Sequence, residues 1–120
     1  KTKLMPGAKE ILKHAKNKKI KVGLVTNTPR EPVLKILEHF KIKSFFDAVV
    51  AGDDAERPKP YPDPVIKLCE KLKIMPDEAM LVGDTKNDYN AGKSAGCFVV
   101  GLNTPGDLVI SGLNDLLELV

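Results

Sequence analysis

At 120 residues, 42% of them hydrophobic and 29% charged, the chain suits one small domain with a core, residues 1–120, and its composition excludes a fibrous or disordered protein. A net charge of +3 comes from lysines spread along the chain. They are densest at 16–21 (KNKKIK), where few aromatics interleave, so that stretch reads as a solvated helix end and not as a nucleic-acid surface.

The predicted elements alternate in chain order. A helix carries Ala8, Ile11, Leu12 and Ala15 on one face and is opened by Gly7 after Pro6. A strand follows over 20–26 (IKVGLVT). The next helix presents Val33, Ile36, Leu37 and Phe40 with Pro32 in its first turn, and a strand at 48–51 (AVVA) comes after it. A third helix carries Val65, Leu68, Cys69 and Leu72, with Asp63 as N-cap and Pro64 at the first helical position. Then come a strand at 79–82 (AMLV), a helix over 87–95 closed by Gly96, a strand at 97–100 (CFVV), and a last helix with Leu113, Leu116, Leu117 and Val120. Alternation of this kind predicts an α/β fold with a parallel sheet covered on both faces.

No apolar run approaches membrane-spanning length, and the opening KTKLMPGAKE has no signal-peptide core. Beginning at Lys1, the chain reads like a piece of something longer. Cys69 and Cys97 each sit in an apolar run and read as buried thiols, which leans towards a cytoplasmic location. His14 and His39 lie in amphipathic helices without a partner at ligand spacing and read as structural or surface residues.

In doubly wound sheets, ligands bind beyond the carboxyl ends of the strands, so the polar residues that follow each apolar run are the candidates. The first run ends in Thr26, Asn27 and Thr28. The second leads to Gly52, Asp53 and Asp54 and on to Lys59, in a stretch with proline at every second position (PKPYPDP). The third ends in Gly83, Asp84, Thr85, Lys86, Asn87 and Asp88. A hydroxyl, an ammonium and two carboxylates on one edge are what a phosphate ester beside a divalent cation requires. Each has a plainer reading: Thr26 as a cap, Lys59 as a solvated lysine, Asp53 and Asp54 as a polar turn. The pair Asp84 and Asp88 points further, because one carboxylate suffices as a cap and two this close repel unless a cation lies between them.

The order VGLVTNT, RPKPYPDP, LVGDTKND resembles the second, third and fourth signature motifs of the haloacid dehalogenase superfamily, in its phosphoglycolate phosphatase and β-phosphoglucomutase-like branch. The resemblance runs from Leu4, Pro6 and Gly7 (LMPG) to AGKSAG at 91–96 and the strand after it. It implies a Rossmann-like three-layer core and a Mg²⁺-dependent phosphatase acting on a small phosphorylated metabolite. By this similarity Thr26 hydrogen-bonds a phosphoryl oxygen, joined by the backbone N–H of Asn27. Lys59 neutralises charge on the nucleophile and phosphoryl group, Asp84 binds Mg²⁺, and Asp88 binds it through water or orients its ligands. Such chemistry gains mainly from positioning and charge stabilisation.

The first motif of that family, an apolar strand ending in Asp-x-Asp, has no match here, and neither has the cap inserted after it. In the family the first aspartate attacks phosphorus and the second is the general acid and base. The missing strand would lie at the centre of the sheet, between the strands at 20–26 and 79–82. The strand at 48–51 is expected beside the first of these, and the strand at 97–100 beside the second. The segment carrying strand and cap is then a partner required in cis or in trans. A noncatalytic phosphate-binding module and a sugar phosphomutase are the alternative functions.

Overall fold

The computed structural model describes residues 7–120; Leu4 and Pro6 of the LMPG segment lie outside the described residues. Helix α1, Ala8–Asn17, starts after Gly7, which takes φ 85°, a conformation that glycine adopts without strain. Strand β1, Gly23–Val25, is shorter than the expected 20–26. Ile20 still bonds back to Ala15 of α1 (2.9 Å), and the N–H of Val22 goes to the Asp47 carboxylate (2.7 Å), so the first residues of the apolar run are engaged elsewhere.

Helix α2, Arg30–His39, is followed by a 3₁₀ turn at Lys43–Phe45 and strand β2, Ala48–Val50. Helix α3 is Asp63–Leu72. Asp63 was expected to cap it; instead the helix begins at Asp63, and the carboxylate turns to Arg57, accepting from Nε at 3.2 Å and from Nη2 at 3.0 Å. A second 3₁₀ turn, Pro76–Glu78, precedes strand β3, Met80–Gly83. Helix α4, Lys86–Ala95, is closed by Gly96 at φ 99°, as expected, and strand β4 is Phe98–Leu102. Two elements differ from expectation. A strand β5, Leu108–Ile110, was not foreseen, and the last apolar repeat forms a 3₁₀ helix, Leu113–Glu118, in place of an α-helix.

All strand pairs are parallel. β2 pairs with β1 (Leu24 opposite Val49), and β4 pairs with β3 (Val82 opposite Val100) and with β5 (Gly101 opposite Val109). Among the described residues these form two separate sheets, β1-β2 and β3-β4-β5, with no ladder between β1 and β3. That is where the sequence reading put the absent central strand.

Two layers of helix hold the sheets together. On one face Leu12 of α1 joins Val33, Leu37 and Leu24, while its neighbour Ile11 packs on the cluster of Val100, Leu102 and Ile110 of the other sheet with Leu116 of the 3₁₀ helix. On the opposite face Val65 and Cys69 of α3 pack with Val25 of β1, Leu81 of β3 and Ala91 of α4. The chain is thus a three-layer, Rossmann-like α/β core. Cys69 and Cys97 are free and buried, and burial pushes both thiols up, Cys97 to about 11. No helix among the described residues is long and apolar enough to cross a membrane.

Candidate active site

The segments after β1, β2 and β3 are bonded to one another. After β1, the N–H of Thr26 extends the ladder to Val50 O (3.0 Å), and its hydroxyl accepts from the N–H of Thr28 (3.1 Å). The segment after β2 lies directly against this turn. Gly52 donates to Thr28 O (2.7 Å), and a Cβ on Gly52 would stand 2.0 Å from Asn27 O, so only glycine fits there.

Lys59 enters from the same segment. Its N–H donates to Asn27 Oδ1 (3.0 Å) and its carbonyl accepts from Asn27 Nδ2 (3.2 Å). Its ammonium forms an ion pair with the Asp88 carboxylate, both side chains nearly buried at 12% and 9% exposure. The second oxygen of Asp88 accepts from the N–H of Asp84 (3.1 Å) and from the N–H and hydroxyl of Thr85 (3.2 and 3.0 Å). Thr85 in turn caps α4 by accepting from the N–H of Asp88 (3.2 Å). Burial alone would raise the Asp88 pKa and is the largest single influence. The Lys59 ammonium, the Thr85 hydroxyl and the Asp84 N–H together outweigh it and hold the carboxyl below its ordinary value.

Lys59, Asp84 and Asp88 are therefore one hydrogen-bonded cluster, and Thr26 is tied to it through its neighbour Asn27. Asp84 is exposed, and its carboxylate makes no hydrogen bond among the described residues. Asp53 and Asp54 take another role. Asp53 accepts from the N–H of Arg30 (2.9 Å), and Asp54 pairs with the Arg30 guanidinium and accepts from the N–H of Ala51 (2.8 Å). They fasten the β2 segment to the start of α2. His14 contacts Val120 O at 2.8 Å and His39 lies edge-on to Phe40, both apart from this cluster.

Two contributors were missed in the sequence. Thr85 was legible, since Thr85-x-x-Asp88 has capping-box spacing. Arg30 carries no such signal, because its carboxylate partners Asp53 and Asp54 lie 23 and 24 positions along the chain. Among the described residues no three His, Cys, Asp or Glu side chains converge as a metal cluster. The oxygen donors present, above all the free Asp84 carboxylate, suit a Mg²⁺ ion that takes one or two carboxylates and completes its octahedron with water, phosphate and further ligands.

Comparison with known proteins supports the fold. The chain is 36% identical to phosphoglycolate phosphatase of Escherichia coli strain K12, over 97% of this chain and 50% of that protein. The solved structure of a predicted phosphoglycolate phosphatase from Haemophilus somnus superposes with a TM-score of 0.89 at 33% identity, covering 98% of this chain and 57% of that one. A Thermotoga maritima structure provisionally assigned as a β-phosphoglucomutase gives 0.87 at 31% identity, covering 96% and 60%. The chain spans about half the length of the curated relatives it matches. With the profile of the haloacid dehalogenase-like hydrolases matching residues 1–102, the chain belongs to that family.

Proposed function

We propose that this chain is the core of a Mg²⁺-dependent phosphomonoester hydrolase that works through an aspartyl-phosphate, with the strand ending in Asp-x-Asp and the cap supplied by a further segment in cis or in trans. The observation that carries the reading is the nearly buried Lys59–Asp88 ion pair, set between the Thr26 turn and the exposed Asp84 at the carboxyl edge of the sheets. A buried lysine needs an anionic partner. Here the partner is Asp88, which also accepts from the N–H of Asp84, and the Lys59 backbone is tied to the Thr26 turn through Asn27.

In this reading Thr26 donates to a phosphoryl oxygen, with the N–H of Asn27 beside it. Lys59 balances the charge that gathers on the equatorial oxygens during transfer, and Asp88 holds Lys59 in place. Asp84 would hold Mg²⁺ directly. Asp88, its oxygens engaged by Lys59 and the start of α4, would act on the ion through water or by orienting its ligands. The ion supplies charge neutralisation and a template for the phosphate. The substrate class is a small phosphorylated metabolite; phosphoglycolate, sugar phosphates and nucleotides differ in groups that the cap would read. The similarity to a β-phosphoglucomutase keeps a phosphomutase as the second reading.

The test is phosphate release from a panel of phosphate esters, by the chain alone and with a segment bearing Asp-x-Asp. Turnover should need both the segment and Mg²⁺. Asp84→Asn should abolish it, and the chain alone should stay near background, because losing a nucleophile removes on the order of 10⁴ to 10⁶ in rate. Robust Mg²⁺-dependent turnover by the chain alone would sink the reading.

A further inference from the structure

Lys59 lies in the long segment between β2 and α3, which has no regular element to place it. Such a loop relies on specific bonds for its position. Among the described residues, the bonds to the Lys59 peptide come from one side chain: Asn27 Nδ2 donates to its carbonyl at 3.2 Å, and Asn27 Oδ1 accepts from its N–H at 3.0 Å. The carboxamide thus pairs with the Lys59 backbone as a neighbouring strand would. Only this orientation of the amide matches donor to acceptor at both ends.

Asn27 is itself fixed. The residue before it continues the β1-β2 ladder, and Gly52 packs so tightly on its carbonyl that no side chain fits between. Sheet, Asn27 carboxamide, Lys59 backbone and Asp88 carboxylate therefore form one continuous chain of contacts.

We infer that Asn27 is a positioning residue, its side-chain carboxamide clamping the Lys59 backbone so that the ammonium stays beside both Asp88 and the Thr26 turn. This is separate from the backbone N–H of Asn27 acting on phosphate. The consequence for rate rests on the phosphatase reading; the clamp itself does not. A clamp of this kind raises the rate without adding affinity, because a displacement of about 1 Å at a catalytic group costs on the order of 100-fold.

The experiment compares wild type, Asn27→Ala and Asn27→Asp, each studied with the Asp-x-Asp segment, by amide exchange and by turnover of a phosphate ester. The amide of Val100, fully buried in β4, reports whether each variant is folded. The Lys59 amide should be protected in wild type and exchange at least about tenfold faster in Asn27→Ala, in line with loss of its acceptor. Asn27→Asp keeps that acceptor and should keep the protection, yet it faces the Lys59 carbonyl with a carboxylate. Turnover number should fall about 10- to 100-fold in Asn27→Ala and less in Asn27→Asp, with KM within about threefold of wild type. A Lys59 amide that is unprotected in folded wild type, or unmoved by Asn27→Ala, overturns the inference, as does a rise in KM at constant turnover number. Should Asn27→Ala not fold, a wild-type turnover number in Asn27→Asp overturns it instead. If no variant, wild type included, turns over, the phosphatase reading fails while the Lys59 amide still decides the clamp.

Discussion

Asp54 and Asp88 both face a cation, yet only one of them sits where chemistry is proposed. Asp54 is held down to about 2 from its ordinary 3.8, first by the hydrogen bond from Arg30 and then by the N–H of Ala51, against a smaller penalty from burial. Its folded-state pKa is lower than its unfolded one, so it stabilises the fold above the ordinary carboxylate range and loses that contribution as pH falls from about 4 to about 2. Asp54→Asn should therefore lower the melting temperature relative to wild type at pH 6, and the gap should close as pH 2 is approached. Melting curves of the two proteins across that range are the measurement. A gap that stays constant to pH 2 would mean that the pair does not act as an ion pair. The sequence already sets Asp84 and Asp88 apart from Asp53 and Asp54, which read as a polar turn, but it does not show what the latter two hold. The partner of Asp53 and Asp54, Arg30, lies on another element with no spacing signal, so their role in fastening the β2 segment to α2 is visible only in the structure.

At the scale of elements, the junction between β3 and α4 shows how closely one glycine and one cap are fitted. A Cβ on Gly83 would lie 2.3 Å from the Cβ of Asp88, so Asp88 can fold back over the end of β3 only because residue 83 has no side chain. Thr85→Ala removes the α4 cap and should cost about 1 kcal/mol. Gly83→Ala should cost more, because it displaces Asp88 from Lys59 as well as from the cap. Denaturant unfolding of both variants tests this order, and a neutral Gly83→Ala would refute the crowding argument. The helices α1 to α3 were legible from their apolar spacing, α4 from its place between two strands and from Gly96, and the first four strands from short apolar runs between the helices. β5 was not, since its three residues show no alternation and Leu108 and Val109 are exposed at a sheet edge. The last helix misled for a different reason. Leu113 and Leu116 are three apart and face the sheet, as a 3₁₀ helix requires, whereas Leu117 falls off that face and is 36% exposed.

For the whole molecule, the division into two sheets leaves β1 and β3 with no ladder between them among the described residues. β4, paired on both sides, has four of its five residues buried, whereas all three residues of β1 are only half-buried. The inner edges of β1 and β3 can therefore bond to water, at a smaller cost than the 1 to 3 kcal/mol that a dry, unpaired group carries. The chain alone should fold with low stability and aggregate readily, since two free parallel edges invite pairing. Successive N–H groups along a strand point to opposite edges. The N–H of Thr26 points to β2, where it bonds Val50 O, so that of Val25 points to the inner edge. In the chain alone the Val25 amide should exchange fast while the Thr26 amide is slow. Adding an extended apolar segment that ends in Asp-x-Asp should slow Val25 by at least about 100-fold and leave Thr26 nearly unchanged. Each tenfold change in protection corresponds to about 1.4 kcal/mol of opening free energy, so the shift is well above error. Amide exchange read by NMR before and after the segment is added makes the comparison. A Val25 amide already slow in the chain alone would mean that the inner edge of β1 is closed, and the segment would then have no place between the sheets.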